Sequence, residues 1–477
     1  MFIRLIKKAF LPLTIFSFLY YIFSIYVNSL IVIFTNKLDY NSTSLKHYLT
    51  YFLLYLFLLI LLIIFLKSNK NYLHRKFFEN KKNFYAYALI LVFLTFLLNQ
   101  IIFLSDSLIN LHLITHWVFS YLDFGFIKRG LPGSILYIFG DLRGNVHFIL
   151  FISLCAYVLL LYLFIIFINK IAKNNKNLKI SNFIFLVSPI FLFFLDDLGR
   201  FDQLNFILTI SIILIFLNKN FKYSFFLLIS FIILGILIHE SFILFQLPVL
   251  ISLLIYNFYL KKKILIDKKL FLEILSIVLI VGIFAFLIIK KGFIENYNIE
   301  NIKLILKNFI NFVPASSPIE TYYKNDEFIT ERVLAPLDSW KFNGYFNSFQ
   351  TLIATLIFFA PTIFYLTILW SVVFSKANKI EIKIYFLIFS STFVIYIVSF
   401  FLFTFIDFYR VYTGVIFMNI LSINYIFFKS KKLNQHLSKI NLSKYFNVSL
   451  IYGLVTGILL GPLERFYIIF ATLVNQF

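Results

Sequence analysis

Apolar runs long enough to cross a bilayer recur along the whole chain, separated by short polar turns. A crossing helix needs about 17–25 mostly apolar residues. Hydropathy places about 13 such spans, near 10–35, 48–66, 85–105, 146–168, 182–196, 203–218, 223–239, 242–259, 270–290, 346–374, 383–406, 411–428 and 447–470. The expected fold class is therefore all-α, a polytopic transmembrane helical bundle. The two runs between Asp202 and His239 are the most informative. Each is roughly 16 residues, or about 24 Å of helix. Joined by a small basic turn with Lys219 and Lys222, they predict a helical hairpin. Its open end gathers Asp196, Asp197, Arg200 and Asp202 with His239 and Glu240. Ionisable groups at membrane depth are costly and are functional candidates by default.

The same pattern divides the chain. Residues 1–84 are expected to be N-terminal transmembrane helices. Residues 85–290 form a catalytic-type transmembrane module with outer loops at 106–145 and 196–202. Residues 291–347, rich in Asn, Tyr, Lys and proline, read as one larger extracytoplasmic lobe, and 348–477 as C-terminal transmembrane helices. The first apolar run follows Arg4, Lys7 and Lys8 and exceeds the 7–15 residues of a signal-peptide core, so a retained helix is expected. No internal repeat supports an inverted-repeat transporter.

Composition sharpens the class. The chain is 61% hydrophobic and 13% charged, a balance outside that of soluble domains. A net charge of +22 raises nucleic acid as a partner, but the cations sit in short turns between apolar runs. Positive-inside orientation explains them, and nucleic acid is excluded. Every second turn is basic, which predicts a multi-pass protein of a cytoplasmic (inner) membrane with its acids on the extracytoplasmic side. Part of the lysine excess follows the Phe, Ile, Asn and Lys bias of an AT-rich genome. The single cysteine, Cys155, lies inside an apolar run, where it can form neither an intrachain disulfide nor a thiolate cluster.

Three constellations carry candidate chemistry. In the first outer loop, Asp123 precedes Lys128 and Arg129 amid Gly125, Gly130, Pro132 and Gly133. The glycines predict close backbone approach rather than regular helix. An acid beside such a pair can act as a base next to an anion clamp, and the arginine fork suits phosphate. The competing reading is a re-entrant loop whose cations reach headgroups. Next, Asp196, Asp197, Arg200 and Asp202 can position hydroxyls or hold a divalent cation such as Mg or Mn. The competing reading is a solvated loop with an Asp helix cap. Third, His239 beside Glu240 suits proton abstraction from a hydroxyl; alternatively it is a hydrogen-bonded helix end. A zinc-protease motif fails because position 243 is Ile. Arg410, one turn from Asp407, is a further candidate for phosphate or for a plain ion pair.

On these residues the chain resembles two related groups of bacterial envelope enzymes. The order of a long outer loop with Asp123, two helices, and a loop with Asp196-Asp197-x-x-Arg200-x-Asp202 is similar to the membrane module of GT-C glycosyltransferases. That class implies Asp123 as base, although two extra helices here precede the module. The string from Gly199-Arg200-Phe201-Asp202 to His239-Glu240-Ser241, with Pro248 and the loop at 291–347, resembles O-antigen and capsule repeat-unit polymerases. The resemblance covers about residues 85–260 and rests on degenerate motifs. It implies a transferase using a polyprenyl-linked glycan donor and a glycan acceptor, with the bilayer and polysaccharide-assembly proteins as partners. Asp123, or His239 supported by Glu240, would be the base. Lys128, Arg129, Asp196, Asp197, Arg200, Asp202 and Arg410 would bind substrate or diphosphate. The alternatives are a GT-C transferase adding one sugar from a polyprenyl monophosphate, and a transporter or flippase of lipid-linked glycans.

Overall fold

A computed structural model describes residues 117, 119–124, 129–172, 175–196, 200–217, 224–262, 267–291, 356, 358–395 and 408–459. The spans expected at 10–35, 48–66 and 85–105, and the lobe at 291–347, lie outside the described residues. The described residues are helical and contain no strand.

Four of the helices are long and apolar enough to cross a membrane. The first, α3 (Val146–Ala172), follows the short helices α1 (Tyr121–Phe124) and α2 (Gly130–Ile138). Its burial, not its hydrophobicity, has helical period. Leu160, Phe164, Phe167 and Ile168 are buried, while Phe151, Leu154, Val158 and Tyr162 are exposed. Both stripes are apolar, as a bundle facing lipid requires. No net stripe is visible in the sequence for that reason.

The expected span at 182–196 is two helices, α4 (Lys176–Val187) and α5 (Pro189–Asp196). Pro189 has no N–H to continue the ladder and pushes its predecessor out of helical space. Ser188 accordingly adopts ψ 159°. The expected hairpin is present as α6 (Asp202–Leu217) packed along α7 (Ser224–Ile238). The chain then turns through His239–Ser241 into α8 (Phe242–Phe245) and α9 (Leu247–Lys262), and returns as α10 (Lys268–Lys291). The later elements are α11 (Ala360–Lys376), α12 (Lys379–Ser391), α13 (Phe408–Lys429), α14 (Lys431–Ser438) and α15 (Phe446–Leu459).

Helix α13 is the axis of the bundle. Its segment Val411–Lys429 is 94% buried, whereas Lys268–Ile288 of α10 is 17% buried. The outer face of α10, with Phe271, Leu275, Val278 and Phe286, suits lipid. Around Phe417 of α13 stand the rings of Phe164, Phe191, Phe194 and Phe206, with centroids 5.6, 5.8, 5.4 and 4.9 Å away. Aromatic pairs at such spacing add about 0.5–1.5 kcal/mol each beyond area burial. Asn419 and Asn424 of α13 are uncharged and paired inside. Asn419 accepts from the Trp370 indole at 3.2 Å and donates to Thr392 at 2.8 Å, and Asn424 accepts from Asn182 at 2.9 Å.

The bundle has two distinct ends. At the end of the basic turns, Asn175 caps α4 and donates to the Asn434 side chain at 2.9 Å. Asn177 donates to the carbonyls of Leu437 and Ile440. There too Lys429 donates to the Phe216 carbonyl at 3.0 Å, and Asn378 and Glu381 form a reciprocal cap. At the opposite end lie α1, α2, the start of α6 and the turn after α7.

Candidate functional site

The turn at 239–241 brings α8 back against α7 and α13, and two glycines leave room for its rings. A Cβ at Gly235 would lie 2.5 Å from the Phe242 ring, and one at Gly414 2.7 Å from the Phe245 ring. The His239 carbonyl accepts from the Phe242 N–H at 3.0 Å and from the Asn205 amide at 3.3 Å. The His239 ring is buried, and its Nδ1 accepts from the Ser241 N–H at 3.0 Å. A neutral ring held this way carries its proton on Nε2.

Helix α2 closes over this turn. Its glycines and proline predict irregular backbone; they instead build a short helix, with Pro132 in the first turn where no donor is lost. The close approach is real: a Cβ at Gly133 would lie 1.9 Å from the Phe119 carbonyl oxygen. Tyr121 N–H donates to Ser134 Oγ at 2.7 Å, and the Tyr121 hydroxyl reaches the Leu237 carbonyl at 3.4 Å. Trp117 and Phe201 meet edge-on at 5.0 Å. The three segments near 123, 200 and 239 are thus in mutual contact.

Two ion-pair systems bracket α2. At its start, Arg129 Nε donates to both carboxylate oxygens of Glu240 at 3.0 Å, and Nη2 also bonds Oε1. Glu240 Oε2 lies 3.6 Å from His239 Nδ1. Beyond its end, Arg143 bonds Asp141 at 2.5 and 3.0 Å and pairs with Asp123. The Arg143 guanidinium also stands 4.6 Å over the Tyr137 ring. Its side chain is 3% exposed. Burial works against its charge, but the hydrogen bonds and fields of Asp141 and Asp123 outweigh that and hold its pKa above the ordinary value.

Among the described residues, the non-glycine positions with positive φ are Arg129 (61°) and Asp141 (52°). Each is a member of one of these ion pairs. Such backbone costs about 1–3 kcal/mol and persists only where the surroundings over-determine it, which is common at functional sites.

Sequence reasoning placed Asp123 beside the Lys128–Arg129 pair; the structure gives Asp123 to Arg143 and Arg129 to Glu240. Arg143 was not a candidate. Its signal was the Gly140-Asp141-Leu142-Arg143-Gly144 turn, where a left-handed Asp and the following 3-10 turn bring the guanidinium back onto Asp141. Arg200 is half-buried and Asp202 buried at the first turn of α6. Lys128, Asp197 and the side chains of Asp196 and Arg410 lie outside the described residues. Among the described residues, no three His, Cys, Asp or Glu side chains converge as metal ligands.

Four fully buried or nearly buried neutral groups flank the turn and were also missed. They are Asn205, Ser241, Gln246 and Thr413, all under 8% exposed, since Ser241 at 7% is the most exposed of them. Among the described residues, Asn205 Oδ1, Ser241 Oγ, both amide atoms of Gln246 and Thr413 Oγ1 have no hydrogen-bond partner. Comparison with protein-family models, curated proteins and solved structures found no match to this chain.

Proposed function

We propose that this chain is an integral-membrane glycosyltransferase of the bacterial inner membrane that uses polyprenyl-linked sugars at the extracytoplasmic face. More specifically, we read it as an O-antigen or capsule repeat-unit polymerase. The observation that carries the reading is the Arg129–Glu240 pair, which closes the 117–143 segment onto the His239 turn. It sets a cation that fits phosphate, an acid and a histidine side by side, at the end of the bundle away from the basic turns. Positive-inside orientation makes that end extracytoplasmic.

The reaction is a single displacement. The acceptor hydroxyl oxygen bonds to the anomeric carbon as the carbon–oxygen bond to the diphosphate breaks, and the polyprenyl diphosphate leaves. Arg129 and Arg200, with Lys128, neutralise the leaving charge, the kind of stabilisation worth most in a site that excludes water. The acceptor proton goes to Asp123, whose Oδ2 is fixed by Arg143. His239 suits the opposite task. With Nδ1 engaged by Ser241, its Nε2–H is a donor, able to support the departing oxygen. Asp196, Asp197 and Asp202 position sugar hydroxyls or hold a divalent cation.

The test is replacement of Asp123 by Asn and of Arg129 by Ala in the producing cell, at normal protein level. Loss of polymer with one repeat unit accumulating on the carrier is expected. A truncated repeat instead indicates a GT-C transferase adding a single sugar. Full-length polysaccharide would sink both. The interruptions at Ser188-Pro189 and at 239–241 favour a second reading, a transporter or flippase of lipid-linked glycans, since secondary transporters commonly build substrate sites on broken helices. Movement of substrate across vesicles without covalent change would support it.

A further inference from the structure

The fork of Arg129 is already occupied. Nε and Nη2 grip Glu240. The residue is held at this spot by its backbone, at the start of a helix whose Gly133 lies against the Phe119 carbonyl. The Arg129 side chain is 11% exposed and that of Glu240 29%, so the pair is partly accessible. A planar guanidinium fork fits carboxylate and phosphate with the same geometry. The carboxylate therefore stands where two phosphate oxygens would stand. Glu240 has a second cationic neighbour within reach, the His239 ring at 3.6 Å, once that ring is protonated.

We propose that Arg129 is a phosphate-binding site whose resting occupant is Glu240, and that the diphosphate of a ligand takes the fork by displacing that carboxylate. The choice of a diphosphate rests on the glycosyltransfer reading; the exchange itself rests on the pair's geometry. In the exchange Arg129 keeps its charge neutralised throughout, passing from one anion to another. The released carboxylate turns to His239, whose Nδ1 gives up the Ser241 N–H and takes a proton from water in its place. Binding of the anion thus charges the histidine beside it, and the ligand itself arms the proton donor.

The test uses the full chain in nanodiscs of zwitterionic lipid, with inorganic pyrophosphate as the probe. Glu240→Gln removes the competing charge and keeps the shape, so pyrophosphate should bind about tenfold more tightly. Arg129→Lys keeps the charge and loses the fork, so binding should weaken about tenfold. In the unmodified protein pyrophosphate should raise the unfolding temperature, and in Arg129→Lys it should not, which gives a readout even if Glu240→Gln fails to fold. Unchanged or weaker binding in Glu240→Gln would overturn the exchange, as would equal protection of the Lys variant. Farnesyl diphosphate should compete with pyrophosphate; displacement of both by phosphatidylglycerol would reassign the site to headgroups and overturn the diphosphate. Tighter binding in Glu240→Gln without any sugar transfer would keep this site and remove the transferase. Transfer without pyrophosphate binding at Arg129 would do the reverse.

Discussion

At one end of the bundle Asn175 and Asn177 tie α4 to the α14 turn with uncharged hydrogen bonds, each side chain satisfied. At the other, Arg129 and Arg143 tie α2 with charge, from residues next to or within left-handed backbone, and with carboxylate partners 29–52% exposed. The first arrangement suits structure. A neutral amide placed to meet stranded carbonyls contributes about 1 kcal/mol per bond and asks nothing else of its surroundings. The second is a poor way to gain stability, because a half-buried ion pair loses to desolvation much of what it gains by attraction. Charge, backbone strain and unmet neutral groups such as Gln246 coincide at that end, which is the end where the proposed site lies.

The strongest way to break this comparison is to cross the two ends. Arg129→Ala should lower product formation by about 100-fold, the scale of losing one transition-state donor. Its stability should fall by about 1–2 kcal/mol, since Glu240 is left unpaired but still reaches solvent. Asn177→Ala should leave activity per folded molecule intact, while stranding the Leu437 and Ile440 carbonyls at a cost of about 1–3 kcal/mol in stability. Activity and thermal unfolding on the same preparations check both. If the two variants behaved alike, the ends would not differ in kind.

Gly133→Ala comes next. A Cβ there meets backbone, not a pliable side chain, so the 117–120 segment must shift. Overpacking of this kind costs about 1–3 kcal/mol, and turnover should fall with it because Asp123 moves too. An active Gly133→Ala protein with unchanged unfolding would contradict the contact. Arg143→Met should be milder in stability. It leaves Asp123 and Asp141 unpaired, but both carboxylates reach solvent, so about 1–2 kcal/mol is expected rather than the cost of a fully buried pair. Its signature is a fall in turnover at constant substrate affinity, because Asp123 loses the guanidinium that orients it.

The smallest effect belongs to the basic end. Desolvation and the charges of Lys376, Lys439 and Lys432 hold the His436 pKa below its ordinary 6.5. The unfolded chain therefore binds the proton more readily, and this contribution is present above about pH 6.5 and lost as pH falls through that range. His436→Gln should flatten the acid side of the unfolding-temperature curve without altering its neutral value. An unchanged slope would show that His436 does not titrate on unfolding.

Much of the scaffold was legible because lipid demands long apolar runs: the hairpin expected at 203–218 and 223–239 is α6 and α7 within a residue or two. Pro189 held the signal for the break between α4 and α5, but hydropathy alone runs straight through it. The polar interior of α13 escaped because Asn419 and Asn424 carry no charge and sit on a helix buried all round, where no face is singled out. Site pairing was less legible still. That Arg129 meets Glu240 and Arg143 meets Asp123 depends on two left-handed residues and on Gly133 touching backbone, and spacing along a chain encodes neither.

In the proposed reading, closure of α2 onto the His239 turn makes an anion site that polymer growth requires. The direct measurement is the chain-length distribution of surface polysaccharide from cells carrying Arg129→Lys at the normal protein level. The account predicts collapse to single repeat units on the carrier, since charge without the fork does not hold the diphosphate. A ladder identical to that of the unmodified protein would contradict it.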